Sequence, residues 1–261
     1  MPYFAGKGRK IELIPTLLGN GYRTLATLKI PGTEIGFLTD TESSDRSGNA
    51  LRIVGGWEVD IDRVKAWLKL CEKHHSHDCM PSRTSEYSAR RLIGSTKIRT
   101  IDLLSDCLVE ISLDSRYLTL SYVWGDVSSV RLTKRNLAQL STPGALSKAR
   151  KDLPRTITDA LEFVSMMGER YIWIDTLSLV TDDEEEMQTG IGLMDIIYEG
   201  STLNIIAAAG FDASAGLPGI SYGSRSPSQR VEEVRPGVRM AVSREVGQHL
   251  SASRYSTRGW T

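Results

Sequence analysis

Apolar positions follow a strand–helix–strand rhythm through the middle of this chain. "RYLTLSYVW" (116–124) is predominantly apolar with little alternation, as in a central strand covered on both faces. "YIWID" (171–175) reads as a short buried strand and "STLNIIAAAG" (201–210) as a third strong one. Between the first two, Ile157, Ala160, Leu161, Val164 and Met167 recur at helical spacing, with Pro154 in the first turn and Gly168 at the end. After "TDDEEE" a second helix is expected, with Met187, Ile191, Met194, Ile197 and Tyr198 on its inner face. Its carboxylates sit at the positive end of the helix dipole. Strand, helix, strand, helix, strand predicts an α/β fold with a mostly parallel sheet covered by helices. "TKIRTIDLL" and "CLVEISL" add two earlier strands, and "LTKRNLAQL" a short helix.

Upstream the pattern weakens. Residues 1–56 hold short β-like runs broken by Gly and by "TDTESSDRSGNA". From Asp60, the spacing of Ile61, Val64, Trp67, Leu68 and Cys71 predicts a helix ending in "EKHHSHDC", and "PSRTSEYSARR" reads as a linker. The expected organisation is a β-rich extension (1–59), a helix plus linker (60–96) and an α/β domain (97–261) with its core at about 116–220. Beyond Phe211 the chain is Gly/Ser/Pro-rich, then weakly β-like.

Composition narrows the function. Forty per cent apolar and 25% charged residues in 261 are ordinary for a globular protein. Lys plus Arg and Asp plus Glu both number 32, so the basic excess of a nucleic-acid or anionic-lipid binder is missing, and no nucleic-acid partner is expected. No apolar run predicts a membrane span, and the N-terminus lacks the apolar core of a secretion signal. Three cysteines give no disulfide framework. A cytoplasmic protein is expected.

Ligands of open parallel sheets bind beyond the carboxyl ends of the strands. Three such ends, 121–126, 173–183 and 207–214, gather Asp126, Asp175, Asp182, Asp183 and Asp212 on one rim. Helix capping and turn formation are the competing uses of these acids. Tyr122 and Trp124 alternate with Val123 and so share a side, next to Gly125 and Asp126. That suits a pocket wall, with packing under a helix as the competing reading. Cys71, His74, His75, His77 and Cys79 are zinc-ligand types. Their spacing matches no common finger, and one helix cannot turn them all inward, so zinc is disfavoured and no metal site is expected. No G-x-S-x-G elbow and no glycine-rich phosphate loop occurs.

Read in order, "WLKLCEKHHSHDC", "IRTIDL", "YLTLSYVWGD", "LPRTITDALEFVSMMGERYIWIDTLSLVTDDEEEMQTGIGLMDIIYEGSTLNIIAAAG" and the terminal "RGWT" resemble the fungal heterokaryon-incompatibility (HET) domain over roughly residues 60–220 and the last few positions. The resemblance implies a role in self/non-self recognition and regulated cell death, and makes Cys71 and Cys79 structural. Two positions depart from the family pattern. Ser178 stands where a Cys is usual, and Thr181 where a Gln is usual. The pattern normally runs on past "RGWT" into Gln–Glu, so a trimmed fragment or a short version is expected, and a degenerate, inactive member is one reading.

The motif order also resembles, more weakly, that of TIR domains, which are flavodoxin-like folds that act as adaptors or split NAD at the nicotinamide–ribose bond. That resemblance implies NAD as a candidate substrate and no certain cofactor. TIR domains that cleave NAD use a Glu after the third strand; here that region, "FDASAGLPG", offers Asp212. On this reading Asp175 and Asp212 are the catalytic candidates, and Tyr122, Trp124, Gly125, Asp126 and Asp182 bind a nucleotide. The adaptor reading instead expects self-association or another signalling protein as partner.

Overall fold

The computed structural model describes residues 12–17, 24–30, 33–37, 56–74, 97–225, 229–236, 238–244 and 246–257. Their strands form two five-stranded sheets. One takes strands from both ends of the chain: β1 (Glu12–Leu17), β2 (Thr24–Ile30) and β3 (Thr33–Phe37), then β10 (Val238–Arg244) and β9 (Val231–Arg235), all antiparallel.

The other sheet runs β5-β4-β7-β6-β8. β4 (Lys97–Asp102) and β5 (Cys107–Ser112) form an antiparallel hairpin. Its turn holds Asp106 at φ +52°, a conformation that short polar side chains tolerate. β4 also runs antiparallel to β7 (Tyr171–Ile174), whereas β7, β6 (Leu118–Tyr122) and β8 (Leu203–Ala207) are mutually parallel. The sheet is therefore mixed, with the three strands of the strand–helix–strand rhythm forming its parallel part. The α/β class expected from the pattern is the one observed.

Short helices α2 (Leu137–Leu140) and α3 (Ala145–Ala149) precede α4 (Arg155–Met167), which leads from β6 to β7. Ile157, Ala160, Leu161 and Val164 of α4 pack with Leu118, Leu120, Ile172 and Ile174. A one-turn helix, α5 (Asp175–Ser178), follows β7 directly. Then α6 (Glu184–Gly192) and α7 (Met194–Gly200) cover the opposite face, where Ile196 and Ile197 pack with Trp173 and Tyr117. The alternation of Ile172, Trp173 and Ile174 between the two cores is the pleat of β7. All five residues of β6 are buried, and each aliphatic side chain so buried contributes about 1.5–3 kcal/mol.

Two expectations need adjusting. The helix after "TDDEEE" is two helices, broken at Leu193. Gly190 and Gly192 are weak helix formers, and a Cβ at Gly190 would lie 2.4 Å from Leu179 Cδ2, so close packing rather than propensity holds α6. The run "LNIIAAAG", expected as a buried strand, forms an edge strand instead: β8 is half exposed, with Ile206 at 47%.

Helix α1 (Ile61–His74) forms over the predicted stretch but buries none of its residues. It is tied to the α/β body by Arg116, which reaches Glu72 and Glu169 at 2.6 Å each. Among the described residues no helix is long and apolar enough to cross a membrane.

Candidate functional site

Connection α4 leaves β6 for one face of the sheet, and the α6–α7 connection leaves β7 for the other. Neighbouring parallel strands whose connections diverge open a crevice at their carboxyl ends. Here the crevice is bounded by the continuation of β6 into Tyr122–Trp124 and by the start of α5 at Asp175. It opens into a cavity of about 900 Å³.

Trp124 and Asp175 lock its inner corner. Trp124 Nε1 donates to Asp175 Oδ2 at 3.0 Å, and the Thr176 amide donates to Oδ1 at 2.7 Å. Asp175 is 6% exposed, so these bonds matter to it far more than on a surface. Thr176 Oγ1 in turn lies 2.9 Å from the Tyr122 hydroxyl. Burial first, and the Asp175 charge second, push the Tyr122 phenol far above its ordinary value. It is a neutral hydroxyl at every physiological pH. The Arg131 guanidinium lies 5.3 Å from the Trp124 ring centroid, a cation–π contact that fixes the indole from outside.

The rest of the wall comes from β8, the two helices and the C-terminal turn. Met187, Met194, Asp195 and Tyr198 line one side, and Asn204 and Ile206 line another. The Asn204 amide Nδ2 donates to the Tyr198 carbonyl at 3.2 Å, and its Oδ1 accepts from Ser201 and Thr119. A 3₁₀ turn, Arg254–Thr257, adds Tyr255 to the wall, with its Oη 2.9 Å from Ser121 Oγ. Thr181 also lines the cavity. Its amide and hydroxyl both reach the Leu132 carbonyl, at 2.8 Å each. Ser178 is buried behind, where its Oγ accepts from the Ile174 amide at 3.2 Å.

Of the residues expected from sequence, Tyr122, Trp124 and Asp175 therefore meet at the cavity. Gly125 turns the chain just outside it, at φ +65°, and a Cβ there would lie 2.4 Å from Asp212 Cβ. Asp212 packs against that turn rather than lining the cavity. Ser214 Oγ and N donate to its Oδ1 at 2.6 and 2.8 Å, and these bonds hold its carboxyl below the ordinary value. Asp126 is exposed and does not line the cavity. Asp182 accepts from the Lys134 amide at 2.8 Å and so pins the 131–134 loop.

The acidic helix start is likewise occupied. Asp183 caps α6 by accepting from the Glu186 amide and pairs with Lys134 Nζ at 3.0 Å. Glu186 accepts from Arg99 at 2.6 Å and from the Val180 amide at 2.9 Å. Among the described residues no group of His, Cys, Asp and Glu is arranged to hold a metal; His75, His77 and Cys79 lie outside them.

Sequence reasoning misses Tyr255, Asn204 and Asp195 as wall residues; Tyr198, expected on the inner face of its helix, packs edge-on against Trp173 and lines the cavity as well. Only Asn204, a lone amide in an apolar strand, carries a signal in the sequence.

No curated protein and no solved structure matches the chain. The family model described as heterokaryon incompatibility protein (HET) matches residues 117–261, more than half of it. That span contains β6, Trp124, Asp175 and the whole cavity wall. The chain thus belongs to the heterokaryon incompatibility family.

Proposed function

We propose that the chain is a signalling module of fungal self/non-self recognition and regulated cell death, worked by a small molecule, and that it cleaves the nicotinamide–ribose bond of NAD. One observation carries the reading: the Trp124–Asp175 hydrogen bond presents a buried carboxylate on the wall of an aromatic cavity at the carboxyl ends of two parallel strands. In cleavage, the C1′–N bond breaks and its electron pair leaves with nicotinamide, which becomes neutral. The positive charge passes to the ribosyl C1′ and its ring oxygen. Asp175, already oriented by Trp124 and Thr176, stabilises that charge without reorganising. Water then adds at C1′ and loses its proton to solvent, giving ADP-ribose.

The module acts in the cytoplasm on this reading, with residues 97–261 as the active unit. Its signal passes on through self-association or a second signalling protein. The edge of β8, which pairs only with β6 among the described strands, offers a surface for that contact.

The test is incubation of the purified chain with NAD at high protein concentration, following nicotinamide release. Release that falls at least about a hundredfold in Asp175→Asn, with the fold intact, is the expected result. Equal release by wild type and variant, or none by either, would remove the enzymatic reading and leave a binding or assembly module.

A further inference from the structure

The connection from β6 to α4 is basic. Residues 127–154 carry six Lys or Arg against one acid, Asp152, in a chain whose two signs balance at 32 each. Its first stretch is fastened to the crevice. The Leu132 amide donates to the Thr176 carbonyl at 2.8 Å, one residue from Asp175. The Leu132 carbonyl accepts from the amide and the hydroxyl of Thr181, which lines the cavity. The Asn136 side chain donates to the Arg131 carbonyl at 2.9 Å and accepts from the Thr133 amide at 2.8 Å. The rim acids Asp182 and Asp183 are engaged by the amide and the ammonium of Lys134.

This bracing fixes the backbone that carries Arg131, an exposed residue. Its guanidinium stands over the Trp124 ring, 5.3 Å from the centroid. The indole thus has Asp175 at its N–H edge and a guanidinium over its face, so a carboxylate and a cation stand one ring apart. A guanidinium held over a ring keeps its in-plane N–H donors, and their fork matches the oxygens of a phosphate. We infer that Arg131 is the pyrophosphate-binding residue of this site, and that the cavity takes a ribosyl pyrophosphate nucleotide with its ribose end against Asp175. The inference deepens the NAD reading and rests on it for the direction in which the ribose enters. In NAD the ribosyl C1′, where positive charge develops, and the pyrophosphate lie on opposite sides of one ribose. The pair of charges around Trp124 has the matching order.

Calorimetric titration of the folded chain with ADP-ribose, nicotinamide riboside and inorganic pyrophosphate tests it. ADP-ribose is expected to bind at least about tenfold more tightly than inorganic pyrophosphate, because only it fills the cavity as well. In Arg131→Gln the affinity for ADP-ribose should fall at least about tenfold further than that for nicotinamide riboside, which carries no phosphate. That difference separates phosphate binding from support of the indole, since a ring that loses its outer prop weakens both ligands alike. Arg131→Lys, which keeps the charge and loses the fork, should recover part of the loss. No binding of ADP-ribose, an equal loss for both ligands, or inorganic pyrophosphate as tight as ADP-ribose would each overturn the inference. ADP-ribose binding that depends on Arg131, with no nicotinamide released from NAD, would uphold the phosphate site and sink the cleavage reading.

Discussion

Trp124 Nε1 donates to Asp175 Oδ2 at 3.0 Å across 51 residues of chain. The bond joins the end of one parallel strand to the end of its neighbour, so the indole is a structural pin and a cavity wall at once. Trp124→Phe keeps most of the ring and removes the donor. The expected cost is about 1–3 kcal/mol of stability from a buried carboxylate short of one partner, with ligand binding lost more than tenfold. Thermal melts and titration on the same sample check both. Trp124→Ala removes the wall as well and should abolish binding altogether.

Gly125 is required twice over. Its φ of +65° favours glycine, and its missing Cβ makes room for Asp212. Gly125→Ala is expected to cost about 1–3 kcal/mol from backbone strain alone. The double variant Gly125→Ala, Asp212→Gly relieves the clash but not the strain. It should recover only part of the loss, as denaturant midpoints will show.

Acid sensitivity should come from Asp102. Its carboxylate, 1% exposed, takes two bonds from Arg170, at 2.9 and 2.7 Å, and these hold its pKa down to about 2. A carboxyl depressed in the folded state stabilises the fold above its unfolded value and loses that contribution as pH falls through the folded one. Arg170 is half exposed, so the pair contributes about 1–2 kcal/mol, fading between about pH 4 and 2. Arg170→Ala should flatten that part of the stability–pH curve.

Tyr255, on the Arg254–Thr257 turn, lines the cavity and meets Ser121 through its hydroxyl. Tyr255→Phe should cost at most about 1 kcal/mol and leave binding within threefold. Tyr255→Ala removes that part of the wall and should speed ligand release much more than it slows association, which stopped-flow kinetics will separate.

Much of the α/β body was legible because its signals are local. β6, β7 and α4 announce themselves by apolar runs, by the spacing of Ile157, Ala160, Leu161 and Val164, and by Gly168 at φ +77° closing the helix. Tyr122, Trp124 and Asp175 followed from one rule about strand ends. What escaped depends on contacts distant in sequence. Tyr255 meets Ser121 across 134 residues, and β10 pairs with β3 across some 200, with no periodicity to signal either. The break at Leu193 escaped because apolar spacing runs on through it, whereas the chain there obeys Gly190 against Leu179. Asp126, Asp182 and Asp212 were grouped with Asp175 by position alone. Short carboxylates serve turns as readily as ligands, and at Asp182 and Asp212 the bonds are to turn amides and hydroxyls.

The most direct test of the account follows the indole N–H signals of the protein's five tryptophans by nitrogen–proton correlation spectroscopy during titration with nicotinamide riboside. Trp124→Phe assigns the relevant peak. The account predicts a saturable shift of the Trp124 signal, with those of Trp57 and Trp67 unmoved, and loss of that shift in Asp175→Asn. Saturation that moves Trp57 or Trp67 and leaves Trp124 in place would contradict it, because the ligand would then be bound away from the carboxyl ends of β6 and β7.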